Sequence, residues 1–221
     1  PSFIAAFEGW VLEGKYPALN SDASKKALSY LYNLKFKEKI LLPSCDYNTA
    51  NTYFVDGKAA MIINGDWAAK EYIAALKDNL GIAPLPILSE TTKPIRPLTG
   101  GKFIFINRTV ERDTKMQSEI KKLINYIYDP YNIKILSKAF FRIPPLKELI
   151  EGDFVQNDPI LKAIYESLKD GIPNPIALEI RACYDALESK MGDLMSGQSY
   201  QENKPNEIAE EIQSIAQNNV R

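Results

Sequence analysis

Apolar side chains recur at steps of three and four along five stretches of the chain, and each stretch predicts a helix. Ala27, Leu28, Leu31 and Leu34 form one stripe behind the N-cap candidates Ser21 and Asp22, ending in the basic run from Lys35 to Lys39. Met116, Ile120, Leu123, Ile124 and Ile127 form a second, which Asp129-Pro130 stops. Asp158 caps a third, with Pro159 at the first helical position, then Ile160, Leu161, Ile164 and Leu168, closed by Gly171. Ile180, Tyr184, Leu187, Met191 and Leu194 mark a long helix before Gly197, and Ile208, Ile212 and Ile215 mark a last one entered through Pro205.

Three short runs have a different pattern. Ala59 to Ile63 is continuously apolar between Gly57 and Gly65, and Gly81-Ile82-Ala83 and Lys102 to Ile106 are similar. Such runs predict strands covered on both faces. Pro84, Pro86, Pro94 and Pro97 keep the connection between the last two out of helix. Short buried strands alternating with helices give an α/β class, helix-heavy toward the C-terminus.

Composition narrows the chemistry. The 221 residues include no histidine, which removes Ser-His-Asp and Cys-His nucleophile systems, histidine-bearing zinc sites and an imidazole switch. A formal charge of −1 argues against nucleic acid as a partner. Cys45 and Cys183 have no CxxC spacing and read either as buried thiols or as one bridge. No apolar run approaches the ~18–20 residues of a membrane span. Pro1 in place of Met, with no leader ahead of it, suggests an upstream segment removed.

An enzyme without histidine would lean on carboxylates, and Glu8, Asp46, Asp66, Asp153, Asp185 and Glu188 are candidates for a glycosidase-like pair. None is distinguished by its context. Thr99-Gly100-Gly101-Lys102 lacks phosphate-loop spacing and leads into a strand, which excludes that motif. Its paired glycines read as structural or ligand-facing. The segment from Phe54 to Trp67 says more. Its apolar run ends at Asn64-Gly65, and Asp66 and Trp67 begin a helix, so the tryptophan lies at the carboxyl end of a strand, where ligand crevices form. An indole face beside Asn64 and Asp66 suits a sugar, whose C–H face stacks on the ring while its hydroxyls bond to amide and carboxylate. The alternative is that Trp67 caps the core.

Gly57-Lys-Ala-Ala-Met-Ile-Ile-Asn-Gly-Asp-Trp67 resembles the G-x-x-A-M-x-x-N-G-x-W stretch of maltose-binding-protein-like solute receptors of ABC importers. The likeness runs on in order: Asn20 to Leu31, Asp46-Tyr47, Asn79 to Pro86, Gly100-Gly101, and Ile143 to Lys147. It implies a periplasmic-binding-protein-like fold of two α/β lobes joined by a hinge. The chain would be its C-terminal portion: residues 1–78 and 130–221 the C-terminal lobe, residues 79–129 a hinge crossing belonging to an otherwise absent first lobe.

The resemblance also implies roles. Trp67 matches a sugar-stacking tryptophan and Tyr47 an aromatic of the same cleft. Asp46, Asn64 and Asp66 are polar contacts, with Asp66 replacing a proline usual in the maltose receptor. Gly100 and Gly101 match a loop whose N–H groups reach the ligand. Tyr184 adjoins the place of a second stacking tryptophan, held here by Cys183, which argues against a long maltodextrin. Arg142 is a candidate hydroxyl clamp. The same likeness puts Cys45 and Cys183 on two cleft-lining segments, which sets a bridge level with two free thiols and leaves both open. Solute capture without catalysis, cofactor or metal follows, with a sugar and ABC permease subunits as partners. The expected location is periplasmic or otherwise extracytoplasmic, free or lipid-anchored. A carboxylate-based glycoside-processing enzyme and a receptor feeding a sensor kinase are the alternatives. The region from Gly81 to Tyr128 would expose apolar faces at Phe103, Phe105, Ile120 and Ile127 that an absent lobe would cover. It is expected to be mobile, re-packed or buried against another molecule, with association of the chain through that surface as one outcome.

Overall fold

A chain whose apolar positions fall mostly at helical spacing folds mostly as helices. In chain order these are α1 (Ser2–Ala6), α2 (Asp22–Phe36), α3 (Tyr47–Val55), α4 (Ala69–Leu76), α5 (Thr114–Ile127) and α6 (Pro130–Phe140). They continue as α7 (Lys147–Glu151), α8 (Asp153–Gln156), α9 (Pro159–Leu168), α10 (Glu179–Leu194) and α11 (Lys204–Asn219). The strands are two residues long: β1 (Leu12–Glu13), β2 (Tyr16–Pro17), β3 (Leu98–Thr99) and β4 (Ile172–Pro173). The computed structural model describes residues 1–42, 46–197 and 199–220. It divides into two units, one of residues 1–49, 85–99 and 171–221 and one of residues 50–84 and 100–170.

The first unit is built on α2, α10 and α11. Their helical stripes bury Ala27, Leu28 and Tyr32 from α2, Cys183, Ala186 and Leu194 from α10, and Ile208, Ala209, Ile212 and Ala216 from α11. Alanines at four of these positions let the helix axes approach closely, and each fully buried Leu or Ile contributes roughly 1.5–3 kcal/mol. Ser21 caps α2 as expected, its hydroxyl accepting the Ser24 N–H at 3.3 Å. β1 and β2 pair antiparallel across Gly14, whose φ of 61° favours glycine. The buried Gln213 amide of α11 locks the chain just after this hairpin: it accepts from the Leu19 N–H and donates to the Pro17 carbonyl, both at 2.7 Å. The proline-bearing stretch 85–99 is non-helical as expected. It folds back on itself through Leu88 N–H to Lys93 O (2.9 Å) and Ile95 N–H to Pro86 O (3.0 Å), and buries Leu88 and Ile95 with Ala6. β3 then runs parallel to β4.

In the second unit, Asp129 stops α5 and caps the next helix, accepting the Tyr131 N–H of α6 at 2.9 Å. Asp158 caps α9 through the N–H groups of Ile160 (3.0 Å) and Leu161 (2.8 Å) and is also paired with Lys138 of α6. Ile133, Leu149, Val155, Leu161 and Ile164 are buried. Helix α5 is capped by Asp113 but buries no residue.

The strands expected over 59–63, 81–83 and 102–106 do not form. Met61 is 87% exposed and Phe105 89%, so neither run is covered. A strand is completed by its neighbours, and no partner strand for these runs exists among the described residues. The Ala59 N–H instead closes off α3 on the Tyr53 carbonyl at 3.0 Å. The expected exposure in the 81–128 region is found in full at Phe103 and Phe105, while Ile120 and Ile127 are half-buried.

Candidate functional site

The Asn64-Gly65-Asp66-Trp67 tetrapeptide connects the apolar run to α4 through one turn of 3-10 helix, Asp66–Ala68. The helix expected to begin at Asp66 and Trp67 is therefore present. Each of the four residues has a distinct job.

Asn64 faces inward. Its amide donates to the Asn51 side-chain carbonyl at 3.0 Å and to the Tyr72 hydroxyl at 2.7 Å, while its own carbonyl accepts the Gly65 N–H at 2.8 Å. The Tyr72 hydroxyl donates in turn to Asn51, closing a triangle between α3, the loop and α4. Phe54 packs edge-on to Tyr72 behind it, ring centroids 4.9 Å apart. Asn51 and Tyr72 were not signalled as site residues by the sequence pattern. Their only mark is a polar side chain on the buried face of a helix.

Gly65 is the floor under the tryptophan. A Cβ at this position would lie 2.1 Å from Cζ3 of Trp67, so the indole rests on the glycine backbone. Trp67 itself is 63% exposed, which removes the core-cap reading. Asp66 and Arg142 are brought together as an ion pair, the guanidinium donating to the carboxylate. The second unit thus gathers Trp67, Asp66 and Arg142, with Asn64 as their support.

Gly100 and Gly101 follow β3 in an exposed loop. Neither takes a positive φ, and a Cβ at Gly100 would meet nothing within 4 Å. A Cβ at Gly101 would lie 3.1 Å from Cζ of Phe103. Asp46, Tyr47 and Tyr184 belong to the first unit. Asp46 caps α3: it accepts the Thr49 N–H at 2.7 Å, and hydrogen bonds to Thr49 hold its carboxyl below the usual range. Tyr47, the first residue of α3, is 57% exposed. Tyr184 donates to the Asn174 side chain at 2.7 Å, and burial, helped by Cys183, raises its pKa. Cys183 is buried, with its thiol 3.5 Å from the Val11 carbonyl and pushed up to about 11 by desolvation. Cys45 lies outside the described residues, and so does the bridge expected between them.

A hollow of about 410 Å³ between residues 106–111 and α5 is lined by Ile106, Val110, Ile120 and Ile124, with Arg108 and Lys121. It includes none of the residues above. Among the described residues there is no group of three or more His, Cys, Asp or Glu able to hold a metal, and no helix long and apolar enough to cross a membrane.

Comparisons with known proteins bear on this geometry. The family model described as bacterial extracellular solute-binding protein matches residues 2–163. The chain is 23% identical over 195 residues to a maltotriose-binding protein of Pyrococcus abyssi, covering 86% of this chain and 42% of that protein. It is 28% identical over 151 residues to a maltooligosaccharide ABC transporter solute-binding lipoprotein of Streptococcus pneumoniae, covering 68% of this chain and 34% of that one. Among solved structures, the maltose/maltodextrin-binding domain of Bdellovibrio bacteriovorus bound to maltotriose superposes with a TM-score of 0.82 at 32% identity, covering 100% of this chain and 56% of that one. The maltose-maltodextrin binding protein of Alicyclobacillus acidocaldarius, at 22% identity and a TM-score of 0.81, covers 98% of this chain and 58% of that one, and shares the fold. The chain spans less than half the length of these two sequence relatives and a little over half of the structural ones.

Proposed function

Because the chain belongs to the bacterial extracellular solute-binding proteins, we propose that it serves to capture a sugar of the maltooligosaccharide type for an ABC importer, with Trp67 as the stacking platform. The observation that carries this is the indole itself. A tryptophan 63% exposed, seated on a glycine and flanked by an ion pair, offers its face to the C–H side of a pyranose. Support comes from relatives whose names specify maltotriose and maltooligosaccharides. The fold is the periplasmic-binding-protein-like one, in a helix-rich portion, and the family is extracytoplasmic. Capture would follow the fold's habit of lobe closure about a hinge, the closed form being what the permease subunits recognise.

The other residues carry narrower proposals. Asp66 and Arg142 would bond hydroxyls from the rim of the indole, and Gly100 and Gly101 would offer backbone N–H groups. Asp46, Tyr47 and Tyr184 stand as separate candidates, each tested by its own alanine substitution. The lobe boundaries, residues 1–78 and 130–221 against 79–129, also stand as a proposal, supported by the apolar exposure at 103–106. The relatives are solute-binding proteins rather than enzymes. Two carboxylates considered for an enzymatic role are engaged otherwise, Asp46 with Thr49 and Asp66 with Arg142.

Calorimetric titration of the full protein with maltotriose tests the reading. Binding heat is expected, and Trp67→Ala is expected to abolish it while changing stability by no more than ~0.5 kcal/mol, as for other exposed positions. Retained affinity in that variant would sink the platform.

A further inference from the structure

The Trp67 ring rests on the Gly65 backbone, so the way residues 64–68 are held bears on its direction. That backbone is fixed on its N-terminal side by Asn64, through Asn51 and Tyr72. On its C-terminal side it is fixed by the burial of Ala68 and Ala69. Between those anchors the Asp66 side chain reaches across to Arg142, just past the end of α6. Arg142 is itself placed. Its N–H donates to the carbonyl of the buried Ser137 at 3.1 Å, and Phe141, at a φ of 51°, turns the chain off the helix. The side chains of the pair are 38% and 22% exposed, so water screens them less than a surface pair. The contact runs from Arg142 Nη1 to Asp66 Oδ1, and a planar guanidinium restricts the approach of a carboxylate more than a freely rotating ammonium does.

We infer that Arg142 is a positioning residue: through Asp66 it fixes the turn that presents the Trp67 ring, and so sets the affinity of the sugar platform proposed above, on which this inference rests. Its guanidinium acts on the indole through the neighbouring residue, whether or not it also meets the solute.

The test reads the ring directly. These 221 residues hold two tryptophans, so in this chain, on which the anisotropy is read, Trp10→Phe leaves Trp67 as the sole indole. Time-resolved fluorescence anisotropy should then decay mainly with overall tumbling. Arg142→Gln should add a fast local component with an unchanged circular dichroism spectrum, Asp66→Asn should do the same, and Arg142→Lys should restore the slow decay in part. Maltotriose affinity should fall about tenfold in Arg142→Gln, the scale of one lost charge-assisted hydrogen bond. A rigid ring in both the Gln and Asn variants overturns the inference, and either variant suffices where the other fails to fold. A mobile ring with unchanged maltotriose affinity overturns the sugar-platform reading and leaves the positioning intact. A rigid ring with lost affinity overturns the positioning and makes Arg142 a direct contact.

Discussion

A Cβ at residue 65 would sit 2.1 Å from the Trp67 ring, too close for both to keep their places. Since Trp67 is exposed, the ring can swing away at small cost to the fold. Gly65→Ala is therefore expected to change stability by less than ~1 kcal/mol while altering the near-ultraviolet circular dichroism of the indole and weakening maltotriose binding. An unaltered indole signal would show that the glycine is not the floor of the platform. Sequence reasoning finds this residue pair readily, because N-G-x-W compresses turn and ring into four adjacent positions. Asn64, whose sequence context suggests a ligand contact, has inward partners that the sequence does not show. The amide turns inward to Asn51 and Tyr72, thirteen and eight residues away, and nothing local to Asn64 announces those partners. Asp46 is a similar case: an aspartate three residues before a backbone donor is a helix cap before it is anything else.

Helices with strong caps and clear stripes are legible from the chain alone, and α2, α5, α9, α10 and α11 all appear where the pattern puts them. Helix α3 escapes because its sequence, Tyr-Asn-Thr-Ala-Asn-Thr-Tyr-Phe-Val, has little apolar period. The strands expected at 59–63 and 102–106 fail for another reason: a ladder needs a second strand, and a single run cannot report whether one exists. Between elements, two polar devices stand out as testable. Gln213 satisfies the Leu19 N–H and the Pro17 carbonyl from α11. Gln213→Ala strands both groups and should cost about 1–3 kcal/mol in urea unfolding; an unchanged midpoint would mean that water replaces the amide. Asp158 joins α6 to α9. Burial alone would raise its pKa, but the hydrogen bonds from Lys138, Leu161 and Ile160 outweigh that and lower it. The folded state thus holds its proton less tightly than the unfolded one. The stabilisation is fully present above the unfolded value of about 3.9 and is lost as pH falls through the lower folded value. Asp158→Asn should flatten the acid limb of the stability profile below about pH 4, and an unchanged limb would place the acid sensitivity elsewhere.

At the scale of the whole molecule, the unpaired apolar runs matter more than any one residue. Met61, Phe103 and Phe105 are each more than 70% exposed, and α5 presents apolar residues without burying one. The hollow floored by Ile106, Val110, Ile120 and Ile124 adjoins the second of these runs. Contiguous apolar surface of this kind drives association, and an extended run with no strand beside it is a template for pairing with another chain. The chain is therefore expected to associate with itself at micromolar concentrations and to bind a hydrophobic dye while folded. Sedimentation velocity should show the sedimentation coefficient rising with concentration, and dye fluorescence should fall in step. Phe103→Lys with Phe105→Lys should suppress both effects without lowering the unfolding midpoint, because neither ring contributes to a core. A monodisperse monomer that binds no dye would mean that these runs are covered by the chain itself, in a packing that leaves 103–106 far less exposed.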